Sequence, residues 1–199
     1  MPVKFDGIAG PAAMKMTAAY NALPQYVDRC VLALTPGHID WARYRTWFDA
    51  AGNTNPANVQ LVRSVFQTVQ QWLRTKTITF ANVGGSSVDL AIPGLCAYVL
   101  APTHHMRSGG GLGGTAFGGV DHVGSGVRVL IPPRVAANST ELLLTMFHEL
   151  CHKVGFRVVD TPPSPYDEAA CRQKAQTQPQ LAITNAENYT FFLKELNGL

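Results

Sequence analysis

Apolar residues recur every three to four positions through the first third of the chain, the spacing of helices that bury one face. Residues 11–34 follow this spacing but contain Pro24, which predicts one or two short helices ending before Thr35. A second helix is expected from about Ile39. A third, longer helix is predicted from an apolar face formed by Val59, Val62, Phe66, Val69 and Leu73. The first third is therefore predicted to be helical.

From Thr77 onward the apolar spacing shortens to alternate positions, as expected of strands. Ile78 and Phe80 alternate with threonines, and residues 96–100 and 127–131 are short runs rich in strand-forming residues. These segments predict a small twisted sheet. Residues 108–114 are mostly glycine, which predicts a loop or hairpin between the later strands.

Two helices are predicted in the last third of the chain. Asn138 and Glu141 have the spacing of a capping box, so a helix should begin there and run to about Val154, with Gly155 as its stop. A closing helix is expected at about 179–196 because apolar residues recur there with helical spacing. Its apolar residues are Ile183, Ala186, Tyr189, Phe192 and Leu193.

The length predicts one domain over residues 1–199, with residues 1–26 as a candidate N-terminal extension, and the order of predicted helices and strands gives it an α+β fold. The chain is 46% hydrophobic, which is enough for one sizeable core. Its net charge is +3 without a run of basic residues, so no nucleic-acid partner is expected. Neither a signal-peptide pattern nor a membrane-spanning apolar stretch occurs, which predicts a soluble protein that is cytoplasmic as synthesised.

The candidate chemistry lies on the predicted central helix, in the motif His148-Glu149-Leu150-Cys151-His152. Histidines four residues apart on a helix share one face, so both imidazoles can bind one zinc ion. Glu149 is placed beside them to take a proton from water and deliver it to a leaving amine. The motif therefore predicts a catalytic zinc site with Glu149 as general base. Cys151 is expected to be a buried small apolar residue rather than a nucleophile.

A third zinc ligand must come from beyond this helix, because a catalytic zinc site has three protein ligands and one open position. No histidine follows His152, so the ligand is expected to be a carboxylate. The downstream candidates are Asp160, Asp167, Glu168 and Glu187. His104, His105 and His122 flank the glycine-rich segment and are interpreted as loop or surface residues.

The order of residues after the motif resembles that of the aspzincin metallopeptidases, the family of deuterolysin and peptidyl-Lys metalloendopeptidase. That family combines HExxH with an Asp, a Tyr, a Cys and an Asn-Ala-Asp-Asn-Tyr-like segment. Here Asp160, Tyr166, Cys171 and the segment Asn185-Ala186-Glu187-Asn188-Tyr189 follow in the same order. Weaker similarity extends upstream to about residue 27.

The resemblance implies a zincin-like metallopeptidase domain with Zn²⁺ as cofactor and a protein or peptide as substrate. It assigns His148, His152 and Asp160 as zinc ligands, Glu149 as general base and Tyr166 as a hydrogen-bond donor to the oxyanion. It further places Glu187 where lysine-selective members carry a substrate-binding carboxylate. The family spacing between Asp and Tyr is shorter than the one between Asp160 and Tyr166, which leaves Asp167 as the alternative ligand.

The sequence thus predicts a zinc metalloendopeptidase. Two alternatives are a non-catalytic zinc-stabilised binding module and a zinc amidase acting on peptidoglycan. Cysteines usual in secreted relatives are missing near Phe80, which suggests a bacterial toxin or effector-type peptidase secreted by a non-classical route. An inhibitor or immunity protein would be a partner of such an effector.

Overall fold

A computed structural model describes residues 3–6, 9–50, 55–81, 97–98, 126–130, 139–152, 158–162 and 167–199. This part of the chain is mostly helical and includes one small sheet. The strands are β1 (Val3–Asp6), β2 (Thr77–Ala81), β3 (Ala97–Tyr98) and β4 (Gly126–Leu130). The helices are α1 (Gly10–Ala33), α2 (Trp41–Trp47), α3 (Pro56–Thr75), α4 (Ser139–Cys151), α5 (Glu168–Thr177), α6 (Pro179–Thr184) and α7 (Ala186–Asn197).

Helix α1 is continuous through Pro24 and ends before Thr35, so this segment forms one helix rather than two, and it is longer than predicted. A proline inside a helix removes one backbone hydrogen bond and usually kinks the helix. Burial on one face offsets this cost, because apolar side chains on both sides of Pro24 have no solvent exposure. These side chains are Met16, Tyr20, Leu23, Val27 and Cys30.

The sheet has the strand order β1-β2-β4-β3, and every pair is parallel. Strand β2 lies where the alternating Ile78 and Phe80 predict it, directly after α3. The sequence pattern does not predict strand β1, because only four residues form it. Its partner strand also lies far along the chain, with Val3 beside Ile78. The glycine-rich segment 108–114 lies outside the described residues.

An aromatic cluster connects the N-terminal helices with α4 and α7. Phe66 stacks on Phe147 with ring centroids 5.4 Å apart, and it also contacts Tyr189 and Phe192. Phe48 packs against the same two α7 rings. Because Phe147 directly precedes His148, this packing fixes the part of α4 that carries the HExxH motif.

The last third contains more helices than the sequence predicts. Helix α5 was not anticipated, and the single closing helix is wrong, because Asn185 separates α6 from α7. Asn185 has extended backbone angles and pairs with Val159 as an isolated parallel bridge. The predicted stop of α4 at Gly155 lies outside the described residues. None of the helices in the described ranges has the length and apolar character required to cross a membrane.

Phe66→Ala should destabilise the protein by about 3–5 kcal/mol, because the cavity left under Phe147 can collapse only partly. Urea denaturation followed by circular dichroism measures the change. Met14→Ala is the control, since Met14 is 74% exposed and its truncation should change stability by no more than about 0.5 kcal/mol. Equal stability of the two variants would show that the aromatic cluster does not hold α4 in place.

Candidate metal centre

Helix α4 carries His148 and Glu149 in its last turn, and His152 directly follows its last residue; all three are buried. The three residues are 7%, 5% and 6% exposed. Polar groups are buried this deeply only where partners compensate for their loss of water. The helical setting that the HExxH motif requires is therefore present.

The segment that follows α4 brings Asp160 to the two imidazoles. His148 Nε2 lies 3.1 Å from His152 Nε2. Asp160 Oδ1 lies 3.2 Å from the first nitrogen and 3.5 Å from the second. Within the described part of the chain, these three side chains form a group that could hold a metal ion.

The distances among these three ligand atoms, which form a triangle, fit a zinc ion. Zinc bound tetrahedrally to nitrogen and oxygen at about 2.0–2.1 Å places its ligand atoms about 3.3 Å from one another. The three measured separations, 3.1, 3.2 and 3.5 Å, lie around this value. Two imidazoles and one carboxylate are also a ligand set that zinc accepts while keeping a fourth position open. The residues present therefore fit the metal that the motif predicts.

The outer nitrogens of both imidazoles are held by hydrogen bonds. His152 Nδ1 lies 3.0 Å from the carbonyl oxygen of Val158, and His148 Nδ1 lies 2.7 Å from Glu187 Oε2. A carbonyl and a carboxylate accept hydrogen bonds, so Nδ1 is the donor in each ring. In the neutral form of each ring, Nε2 then presents its lone pair toward Asp160. Outer hydrogen bonds of this kind fix the tautomer and orientation of metal-binding histidines.

Two carboxylates make the surroundings of His148 negative. Burial lowers the pKa of His148, but Asp160 and Glu187 raise it by more, so that it lies well above the usual value. The site therefore favours a positive charge at this imidazole. A metal ion must compete with the proton for the same nitrogen, because a ligating histidine is neutral.

Comparison with known proteins supports the fold. No protein-family model matches the sequence, and no curated protein matches it significantly. Among solved structures, a zinc peptidase from Grifola frondosa is similar, with a TM-score of 0.64 and 17% sequence identity. The similarity covers 94% of this chain and 97% of that one. The chain shares the fold of that zinc peptidase.

The structure separates the candidate third ligands that the sequence left open. Asp160 lies at the two histidines, whereas Asp167 begins α5 and accepts a hydrogen bond from the backbone N–H of Ala170 at 2.7 Å. Glu168 lies 3.0 Å from Arg172. Glu187 lies at the outer nitrogen of His148, a contact that the sequence did not predict. Asp160 is therefore the candidate that geometry favours.

Other predicted site residues have different outcomes. Tyr166, His104, His105 and His122 lie outside the described residues, so the oxyanion role of Tyr166 stays a prediction. Cys151 is fully buried, and burial raises the pKa of its thiol well above the usual value. This agrees with its interpretation as a small core residue, because nucleophilic cysteines require an accessible thiolate.

Asp160→Asn should lower zinc affinity strongly, because an amide is a weaker ligand than a carboxylate and leaves the ion's charge uncompensated. Asp167→Asn is a matched control that keeps an N-cap side chain for α5 and should leave zinc affinity unchanged. Elemental analysis after dialysis and competition with a chromogenic chelator measure stoichiometry and affinity. The opposite ranking of the two variants would identify Asp167 as the ligand.

Glu187→Ala should weaken zinc binding about 10- to 100-fold, because His148 would lose the partner that orients its ring. Glu187→Gln keeps an acceptor and should weaken binding less. Glu168→Gln is the control, as it removes a carboxylate from the first turn of α5. If Glu187 acts only on a basic substrate side chain, zinc affinity will not change and the preference for lysyl peptides will.

Proposed function

We propose that this chain is a zinc-dependent endopeptidase of the aspzincin type, in which His148, His152 and Asp160 bind the metal. One observation carries the proposal: the ligand atoms of these three side chains lie 3.1–3.5 Å apart on an HExxH helix and the segment after it. The shared fold with a zinc peptidase supports the same conclusion. The order of Asp160, Tyr166, Cys171 and residues 185–189 supports the family.

The proposal gives a role to each of the chain's own residues. A zinc ion with one open position would lower the pKa of a bound water and polarise the carbonyl of the scissile peptide bond. Glu149 takes the proton from the attacking water and delivers it to the leaving nitrogen. Tyr166 donates a hydrogen bond to the oxygen on which negative charge develops. His148 and His152 present Nε2 to the metal, because Glu187 and the Val158 carbonyl accept from their Nδ1 protons.

The carboxylate next to the metal ligands favours catalysis over a purely structural zinc site. A structural zinc normally has four protein ligands and needs no buried carboxylate beside them. Here three ligands come together among the described residues, and Glu149 is buried directly after the first of them. Two imidazoles and a carboxylate also suit iron(II), so the metal must be identified by elemental analysis. An effector role, and an inhibitor or immunity partner, stay predictions from the sequence.

Glu149→Ala should abolish hydrolysis of denatured casein while zinc stoichiometry stays at the wild-type value. Loss of the general base costs about 10²- to 10⁴-fold in rate, whereas the three ligands are unchanged. Glu141→Gln, on the exposed first turn of the same helix, is the control and should retain activity.

The other outcomes are also informative. Zinc in wild type and variant without hydrolysis in either would contradict a general endopeptidase and favour the binding module. A peptidoglycan hydrolysis assay with the same pair of proteins then tests the amidase alternative. Wild-type protein without zinc would overturn the whole assignment.

A further inference from the structure

The break between α6 and α7 runs alongside the segment that carries Asp160. Val159 donates its backbone N–H to the carbonyl oxygen of Thr184 at 2.7 Å, and its own carbonyl accepts from Ala186 at 2.9 Å. These two bonds enclose Asn185, which pairs with Val159 as a parallel bridge. The residue before Asp160 is thus fixed to the residues on either side of Asn185.

The side chain of Asn185 holds the residue after Asp160. Its Oδ1 accepts the backbone N–H of Thr161 at 2.9 Å. Asn185 has no solvent exposure and Thr161 is 5% exposed, so water cannot easily replace this bond. Asp160 therefore lies between Val159, which is hydrogen-bonded to the residues on either side of Asn185, and Thr161, which is hydrogen-bonded to the Asn185 side chain.

Hydrogen bonds on its other side fix the orientation of the Asn185 amide. Nδ2 donates to Asn188 Oδ1 at 2.7 Å and lies 3.3 Å from the sulfur of Cys171. Asn188 Nδ2 donates in turn to the carbonyl oxygens of Cys171 and Trp47. Since Nδ2 is occupied as a donor, Oδ1 is the atom turned toward Thr161. These hydrogen bonds therefore fix the Asn185 amide relative to α2 and α5, which supply none of the proposed zinc ligands.

The segment that contains Asn185 also contacts His148, the second part of the candidate metal centre. Glu187, two residues after Asn185, accepts from His148 Nδ1 at 2.7 Å. His148 and Asp160 come from separate segments, and their ligand atoms lie 3.2 Å apart. Both segments are therefore bound to residues 185–187. A shift of a few tenths of an ångström in either contact would change the ligand triangle.

We propose that Asn185 is a positioning residue that holds the Asp160 carboxylate at the histidine pair by fixing the backbone of Thr161. The proposal rests on the proposed zinc site but not on peptidase activity. The Asn185 side chain contacts Thr161, Asn188 and Cys171, none of which is a ligand in the proposed zinc site. Its effect passes through Asp160, so removing Asn185 should matter only while Asp160 is a ligand.

A double-mutant cycle with Zn²⁺ as the probe tests this dependence. Zinc dissociation constants are measured by chelator competition for wild type, Asn185→Ala, Asp160→Ala and the double variant. Asn185→Ala should weaken binding about 10- to 100-fold, the usual effect of removing an outer partner of a ligand. In the Asp160→Ala background the same substitution should have little further effect, because coupled residues are not additive.

Two further variants separate positioning from general destabilisation. Val62→Ala truncates a buried side chain of α3, a helix that supplies no proposed zinc ligand, so it should lower the melting temperature and leave zinc affinity unchanged. Asn185→Asp retains an acceptor for the Thr161 N–H but loses the amide donor, and should bind zinc more tightly than Asn185→Ala. Should Asn185→Ala fail to fold, Asn185→Ser replaces it, because its hydroxyl is too short to take over the Thr161 bond.

Unchanged zinc affinity in a folded Asn185→Ala or Asn185→Ser protein would overturn the proposal. An equal loss in both Asp160 backgrounds would also overturn it, because the effect would then not pass through Asp160. Zinc affinity can be read even in a protein that cleaves no peptide, so failure of the peptidase function and failure of this proposal remain distinguishable. A wild-type protein that binds no zinc would overturn both.

Discussion

The structure depends on holding two imidazole nitrogens and a carboxylate oxygen within 3.5 Å of one another in a buried place. Lone pairs at this distance repel one another unless a proton or a metal ion lies among them, so these side chains do not adopt the arrangement by mutual attraction alone. The scaffold must impose it. Helix geometry provides one side of the triangle, because His148 and His152 are one turn apart. The other two sides require that a separate segment be fixed against α4.

Apolar packing fixes the position of helix α4, and polar contacts fix the orientation of the side chains on it. The aromatic cluster around Phe66 and Phe147 holds α4 against α3 and α7, with nondirectional burial that fixes the helix but not its side chains. Hydrogen bonds to the Val158 carbonyl and the Glu187 carboxylate then orient the imidazole rings of His152 and His148. Val158 and Thr161 lie within two residues of Asp160. Asn185, which accepts from Thr161, forms the α6–α7 break, and Glu187 lies two residues after it. A small part of the chain therefore determines the geometry of the whole metal centre.

The features that the sequence predicts are those encoded locally. The α4 helix is predicted from the capping-box spacing at its start, and the shared face of the histidine pair from helix periodicity; both the helix and the pair are present in the structure. The contact of Glu187 with His148 joins residues 39 positions apart, and no local pattern specifies it. Asn185 breaks a segment whose apolar spacing is otherwise helical, because buried hydrogen bonds to Thr161 and Asn188 outweigh helix continuation. Pro24 is the reverse case, since burial along α1 overrides a residue that locally disfavours helix.

Charge balance explains why the carboxylates around the histidines suit a divalent ion. Asp160 and Glu187 each contact His148, and their side chains are only 10% and 16% exposed. Two poorly hydrated negative charges require compensation, which is the physical reason that they raise the pKa of His148. A proton on that imidazole supplies one positive charge, whereas a zinc ion supplies two and leaves the ring neutral. Glu149 directly follows His148 and is itself buried, so a carboxylate lies beside the candidate metal ligands. In the proposed function, a residue that would hold the metal and the carboxylate that would transfer the proton are thus neighbours on one helix turn.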